Sequence, residues 1–182
     1  MHYREKLLVN PGRRLRLKDI DPGDKGQHES EQTALPEIEQ YRNKLTLMQS
    51  LLHAEKKRSF LIVLQAMDAG GKDGTVNHVL SALNPQGAKV TSFRQPTPEE
   101  TAHDFLWRVH PHAPGKGEIA IFDRSHYEDV LVARVHKAID KAIWEARYQH
   151  IRDFEEASTV DVASIRRKYH AAKDAEKKGQ GQ

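Results

Sequence analysis

The chain has 182 residues, 37% of them hydrophobic and 30% charged, with a formal net charge of +3. That leaves room for one domain around one sizeable core, and the mild positive charge permits a polyanionic partner without demanding one. Cysteine is absent, which excludes a disulfide framework and a thiolate metal site.

The N-terminal stretch MHYREKLLVNPGRR lacks the apolar run of a signal peptide, and no later segment reads as a bilayer span, so a soluble, cytoplasmic protein is expected. Residues 1–35 read as an irregular arm, broken by Pro11, Gly12, Pro22, Gly23 and Gly26. Its basic run, Arg13, Arg14, Arg16 and Lys18, reads either as a solvated arm or as an anion contact. Pro36 is expected to open a helix, because its fixed φ suits the first helical position. Ile38, Tyr41, Leu45, Met48 and Leu52 follow at spacings of three and four, one apolar stripe that reads as a core face.

SFLIVLQAM (59–67) reads as a buried parallel strand. A helix is expected over Lys72–Leu83, stopped by Asn84-Pro85-Gln86-Gly87, and a second strand over Lys89–Phe93. Thr97-Pro98-Glu99-Glu100 is a helix start, with a capping hydroxyl, proline at the first position and acids in the first turn. That helix is expected to carry Phe105, Leu106, Trp107 and Val109 before a loop at His110–Gly117. Glu118–Asp123 reads as a third strand, and Tyr127–Lys137 and Ile139–Glu156 as helices. Ala157–Gln182 has few large apolar residues and reads as a frayed helix followed by disorder. The plan is therefore an arm (1–35), a core (36–156) and a tail (157–182). Alternating strands and helices imply an α/β fold with an open parallel sheet covered by helices. In such sheets ligands bind at the carboxyl ends of the strands. Asp68–Lys72 and Asp123–Arg124 both sit at such ends.

The stretch LIVLQAMDAGGKDGTV (61–76) has the look of a phosphate loop with two departures from the spelling G-x-x-x-x-G-K-[ST]. Ala66 stands where the first glycine belongs, and Asp73 where a hydroxyl belongs. Ala69, Gly70 and Gly71 can turn the backbone so that its N–H groups face phosphate oxygens. Lys72 reaches those oxygens as a point charge, and Asp73, Gly74 and Thr75 lead into the helix. Asp68 is a carboxylate inside this loop. It would repel phosphates unless a cation intervened, so it reads as a magnesium ligand or proton acceptor, with a turn cap as the plain alternative. Asp123 ends an apolar strand as a second magnesium-binding acid does. Arg124 can clamp a phosphoryl group with two donors, or simply form a surface ion pair. The histidines say less: His126, beside Arg124, could touch substrate, whereas His78, His103 and His136 read as ordinary helix residues. His110-Pro-His112 lacks the spacing of a metal helix, so no zinc is assigned. Neither a hydrolase elbow nor a nucleic-acid-binding pattern is present.

LIVLQAMDAGGKDGTVNHV, VTSFRQPTPEETAHDFLWRVH and GEIAIFDRSHYEDVLVARVH closely resemble the polyphosphate kinase 2 family, most of all its branch that phosphorylates nucleoside mono- and diphosphates. The N-terminal VNPGRRLRLKDIDPGDKG is similar to that branch as well, and the resemblance runs from about residue 8 to about residue 156. It implies a P-loop kinase-like, three-layer fold related to thymidylate kinases. It implies Mg²⁺-dependent phosphoryl transfer between inorganic polyphosphate and a nucleotide. Asp68 and Lys72 match the family's loop acid and lysine, and Asp123 and Arg124 the acid and arginine of its second motif. Arg94 matches a basic position after the second strand, near nucleotide or chain phosphates. Ala69, Gly70, Gly71, Asp73 and Gly74 would surround the phosphates. A homo-oligomer is expected, without nucleic acid or membrane as a partner. Beyond residue 156 family members continue into another core strand and an arginine-bearing lid. The chain reads differently there, as if shortened or shifted in frame, so the C-terminal strands and lid are expected to be missing. Two other readings stay open: an ATP-dependent nucleotide or nucleoside kinase, and a non-catalytic relic that only binds phosphate chains.

Overall fold

Among the described residues the sheet is organised around its third strand in sequence. In the computed structural model, β1 (Phe60–Leu64) and β2 (Ala88–Ser92) both pair in parallel with β3 (Ile119–Asp123), giving the order β1-β3-β2. β3 is central because it is apolar on both faces: Ile119, Ala120, Ile121 and Phe122 are all buried, while the flanking strands are half-buried or exposed. The register sets Leu64, Asp123 and Ser92 in one rank at the carboxyl edge. Alternate residues feed two cores. Ile119 and Ile121 join Leu52, Leu80 and Leu83 on one face, with Phe60, Ile62 and Leu64 packed against them. Ala120 and Phe122 join Phe93, Leu106, Val109 and Phe154 on the other, with Leu61 and Val63 alongside. The three layers expected from the sequence are present.

Residues 3–9, 14–21, 23–24, 26–137 and 139–158 are described. The expected disordered tail, apart from its first residues, lies outside them, as do Arg13, Pro11, Gly12 and Pro22 of the arm. The chain divides into two units, residues 1–41 and 42–182. The first holds α1 (Tyr3–Leu7), a 3₁₀ turn (Leu17–Asp19) and the start of α2 (Glu31–Glu55). Asp21 and Asp24 each accept a backbone N–H two residues on, from Gly23 and Gly26, both at 2.8 Å. Asp24 also pairs with Lys6.

Pro36 does not open α2; it lies inside it. The helix starts earlier because Ser30 and Thr33 cap each other. The Thr33 N–H donates to Ser30 Oγ at 3.4 Å and the Ser30 N–H to Thr33 Oγ1 at 3.3 Å. Proline at the sixth helical position costs the helix the N–H bond that would run to the Gln32 carbonyl. Of the expected stripe, Leu52 is buried and Leu45 and Met48 pack on the core, whereas Ile38 and Tyr41 are exposed.

In the second unit α3 (Lys72–His78) is shorter than expected and passes into a 3₁₀ turn (Leu80–Ala82). α4 (Pro98–Ala102) has the expected start: Thr97 Oγ1 accepts the Glu100 N–H at 3.2 Å, and Glu100 Oε2 accepts the Thr97 N–H at 2.7 Å. It does not run on to Val109. His103 is extended, and Asp104 Oδ1 takes the Leu106 N–H at 3.0 Å, a local bond that competes with the helical one. Leu106 and Val109 are still core residues. The expected loop at His110 begins with a 3₁₀ turn (His110–His112), and α5 (Glu128–Val135) and α6 (Lys141–Ser158) follow among the described residues. Among the described residues no helix is long and apolar enough to cross a membrane.

Candidate active site at the strand carboxyl ends

The loop after β1 is shaped by its glycines. A Cβ on Gly70 would lie 2.7 Å from Ala66 Cβ and 2.8 Å from the Met67 carbonyl oxygen, so the turn closes only around glycine. Gly71, at φ 80°, delivers the chain into α3, and Ala69 takes the same left-handed region at φ 61°. The Gly70 N–H donates to the Met67 carbonyl at 3.0 Å. Lys72 is the first residue of α3, and its Nζ donates to the carbonyls of Ala66 and Met67, each at 3.0 Å. The lysine thus lies back across its own loop.

β3 supplies the opposite wall. Asp123 shares its rank with Ser92, whose Oγ donates to Asp123 Oδ2 at 3.5 Å. Asp123 Oδ1 is buried and accepts no hydrogen bond. Arg124 leaves the strand at φ 59°, with its N–H donating to the Leu64 carbonyl at 3.1 Å. Its Nη2 donates to Asp68 Oδ1 at 2.6 Å, an ion pair whose side chains are 41% and 90% exposed.

These groups enclose a cavity of about 440 Å³. Asp68, Ala69, Lys72 and Asp73 line it from the loop, Ser92, Arg94 and Gln95 from the end of β2, and Asp123 and Arg124 from β3. Asp68, Lys72, Asp123, Arg124 and Arg94, singled out separately in the sequence, are therefore gathered in one place. Gly70, Gly71 and Gly74 do not line the cavity; the first two shape the loop that does. Ser92 and Gln95 escaped the sequence reading. Ser92 becomes visible only once the register pairs it with Asp123.

His126 corrects an expectation. It is fully buried, with its ring against Phe122, Tyr127 and Phe154, and Nε2 lies 3.3 Å from Glu155 Oε1. It belongs to the buried core and is not among the residues that line the cavity. Burial lowers its proton affinity, against the opposing pull of Glu155. Tyr127 OH donates to the same Glu155 oxygen at 2.9 Å, and burial, then Glu155, push its phenol up to about 12. Beside this pair, Ser125 Oγ donates to Gln65 Oε1 at 3.1 Å and Gln65 Nε2 to Glu128 Oε1 at 2.6 Å. The Ser125 hydroxyl also accepts the Tyr127 N–H at 3.2 Å. This bridge ties the root of the loop to the turn after β3.

Among the described residues no cluster of three or more His, Asp or Glu side chains is placed to hold a metal ion by itself. The donors present are carboxylates of Asp68 and Asp123, the latter with an unpartnered buried oxygen. That set suits a hard cation held by one or two carboxylates and completed by substrate oxygens and water.

The model of the family described as Polyphosphate kinase 2 matches residues 27–180. The match passes residue 156, where the sequence reading had the resemblance end. An AMP/ADP-polyphosphate phosphotransferase of Meiothermus ruber is 45% identical over 175 residues, covering 95% of this chain and 66% of that protein. An ADP-polyphosphate phosphotransferase of Rhodopseudomonas palustris is 40% identical over 148 residues, covering 74% of this chain and 51% of that one. The crystal structure of polyphosphate kinase 2 from Arthrobacter aurescens TC1 superimposes with a TM-score of 0.77 at 41% identity, over 84% of this chain and 55% of the other. The chain spans between half and two thirds of the length of these relatives. A parallel sheet with a glycine-shaped loop and a lysine-led helix after its first strand, matched over most of the chain by a family model and by a solved structure, places it: the chain belongs to the polyphosphate kinase 2 family.

Proposed function

We propose that the cavity at the strand carboxyl ends transfers a phosphoryl group between inorganic polyphosphate and a nucleoside mono- or diphosphate. The observation that carries this reading is the convergence of Asp68, Lys72, Arg94, Asp123 and Arg124 on one cavity in a chain of this family. The names of the relatives supply the substrate class.

Charge balance decides what else is needed. The lining holds Lys72, Arg94 and Arg124 against Asp68, Asp73 and Asp123, so it is close to neutral before any phosphate enters. A phosphate chain and a nucleotide add several negative charges, and a divalent cation offsets them. Asp68 and Asp123 would hold Mg²⁺, which when bound would supply positive charge beside the phosphate oxygens.

The protein's own groups then divide the work. Lys72 exchanges its bonds to the Ala66 and Met67 carbonyls for bonds to phosphate oxygens. Arg124, released from Asp68, clamps the group in transfer with its planar fork. Arg94 holds the chain or the nucleotide from the β2 side. The Ala69–Gly71 backbone and the residues that follow, Asp73 and Gly74, surround the phosphates at the start of α3. An oxygen on the nucleotide's terminal phosphate attacks the end phosphorus of the chain. A P–O bond forms there as the bond to the rest of the chain breaks, and the leaving oxygen takes the negative charge. The same reading takes the working protein to be a cytoplasmic homo-oligomer, which light scattering checks for its assembly state.

The test is a transfer assay with defined polyphosphate, Mg²⁺ and either AMP or ADP. Turnover is expected, and Lys72→Ala should lower it by about 10²–10³. Near wild-type turnover in Lys72→Ala overturns the assignment of the loop. Transfer from ATP with none from polyphosphate overturns the choice of donor.

A further inference from the structure

Arg108 is a buried cation, 6% exposed, that none of the steps above uses. Its Nη2 donates to Asp129 Oδ2 on α5 at 2.9 Å, and Glu100 Oε2 of α4 lies 3.8 Å from Nη1. Its guanidinium carbon sits 5.6 Å from the centre of the Phe93 ring. Nη1 donates to the backbone carbonyl of Arg94 at 2.8 Å.

Stability alone does not account for this arrangement. A buried ion pair is often no more stabilising than apolar side chains of the same volume. What the arginine provides that an apolar residue cannot is a fixed point for the chain between β2 and α4. Phe93 is held by its N–H bond to the Asp123 carbonyl at 3.1 Å, and Thr97 by the α4 cap. Between them the chain turns past the cavity, and Arg94 and Gln95 face into it. The bond from Arg108 lies at this turn.

We propose that Arg108 is a positioning residue of the phosphate cavity: anchored on Asp129 and Glu100, it holds the Arg94 backbone, and with it the Arg94 side chain, at the cavity wall. The proposal rests on the reading of Arg94 as a phosphate contact. It depends on the fork, because separate nitrogens of one planar group meet Asp129 and the Arg94 carbonyl. Lysine keeps the charge but offers its donors from a single point.

The experiment is calorimetric titration of the full chain with inorganic tripolyphosphate and Mg²⁺, with thermal unfolding recorded for each variant. Arg94→Ala is expected to bind about tenfold more weakly, the loss of one bond to a charged group. Arg108→Lys and Arg108→Met should show the same loss. The double variant Arg94→Ala/Arg108→Lys should bind no more weakly than Arg94→Ala alone, since both changes remove one contact. A merely structural role would lower the unfolding temperature without this non-additivity. Should Arg108→Met not fold, Arg108→Lys and Asp129→Asn carry the test. Wild-type affinity in Arg108→Lys, or additive losses in the double variant, overturns the proposal while leaving the cavity reading intact. Absence of tripolyphosphate binding by the wild-type chain, or unchanged binding in Arg94→Ala, overturns the cavity reading and this proposal with it.

Discussion

The rim of the cavity and the protein interior hold polar groups in opposite ways. On the rim, Asp68 and Arg124 pair with each other while largely open to water, and Lys72 rests on carbonyls of its own loop. Elsewhere, Ser125, Gln65 and Glu128 form a chain of bonds joining the root of the loop after β1, the turn after β3 and α5, and Arg108 and Asp129 join the 103–109 turns to α5. An exposed ion pair contributes about 0–1 kcal/mol, so its members change partners easily. A buried group stripped of its partner costs about 1–3 kcal/mol. The difference teaches a division of labour: fixed bonds hold the backbone, and the charges that line the cavity stay exchangeable.

The sharpest way to break that comparison is Arg124→Ala. Transfer should fall by about 10²–10³, while urea unfolding should change by no more than about 0.5 kcal/mol, as at an ordinary surface position. A large stability loss would show that the rim is as fixed as the interior. Ser125→Ala is the converse. It leaves the Gln65 oxygen without its donor and the Tyr127 N–H without its acceptor, and should cost about 1–3 kcal/mol in urea unfolding. Turnover per folded molecule should drop far less than in Arg124→Ala; an equal drop would erase the distinction between placing and reacting groups. The smallest effect concerns Tyr127. Its folded phenol is raised to about 12 from the ordinary 10.0, so the folded state keeps a proton that the unfolded state loses between those values. Its stabilising contribution is whole below pH 10 and is lost as pH rises through 12. Tyr127→Phe should flatten that part of the stability profile, measured by urea unfolding on either side of pH 10; an unchanged slope would mean that the phenol titrates normally.

Much of this was legible in the sequence because it rests on local chemistry. IAIFD is apolar without alternation, so it declared itself a buried strand, and the Gly-Gly-Lys run after FLIVL marked the loop. The Thr97 cap was readable for the same reason. The end of that helix was not, because Asp104 draws off the Leu106 N–H, and an aspartate before apolar residues reads as one more helical position. Pro36 outweighed Ser30 and Thr33 as a start signal, although the reciprocal hydroxyl cap lies upstream of it. The remaining misses are tertiary. Nothing local says that β3 slips between β1 and β2, so the rank shared by Ser92 and Asp123 could not be seen. His126 stands two residues from Arg124, yet the left-handed turn at Arg124 leaves the arginine at the rim and sends the histidine into the core. Arg108 looked like one basic residue among many until its partners came from three other segments.

Ala69 and Arg124 share a constraint that has nothing to do with phosphate. Both are non-glycine residues in the left-handed region, at φ 61° and φ 59°, and they sit beside and within the Asp68–Arg124 pair. That region costs an ordinary side chain about 1–2 kcal/mol, and branching at Cβ raises the cost further. The backbone therefore filters mutations at these positions before chemistry does. Valine, isoleucine and threonine are shut out of both. Glycine and asparagine enter freely and preserve the fold, so at position 69 drift has a narrow, predictable alphabet. At position 124 the same alphabet removes the guanidinium without backbone strain, so the Asp68 ion pair is open to loss by a single substitution that the fold tolerates.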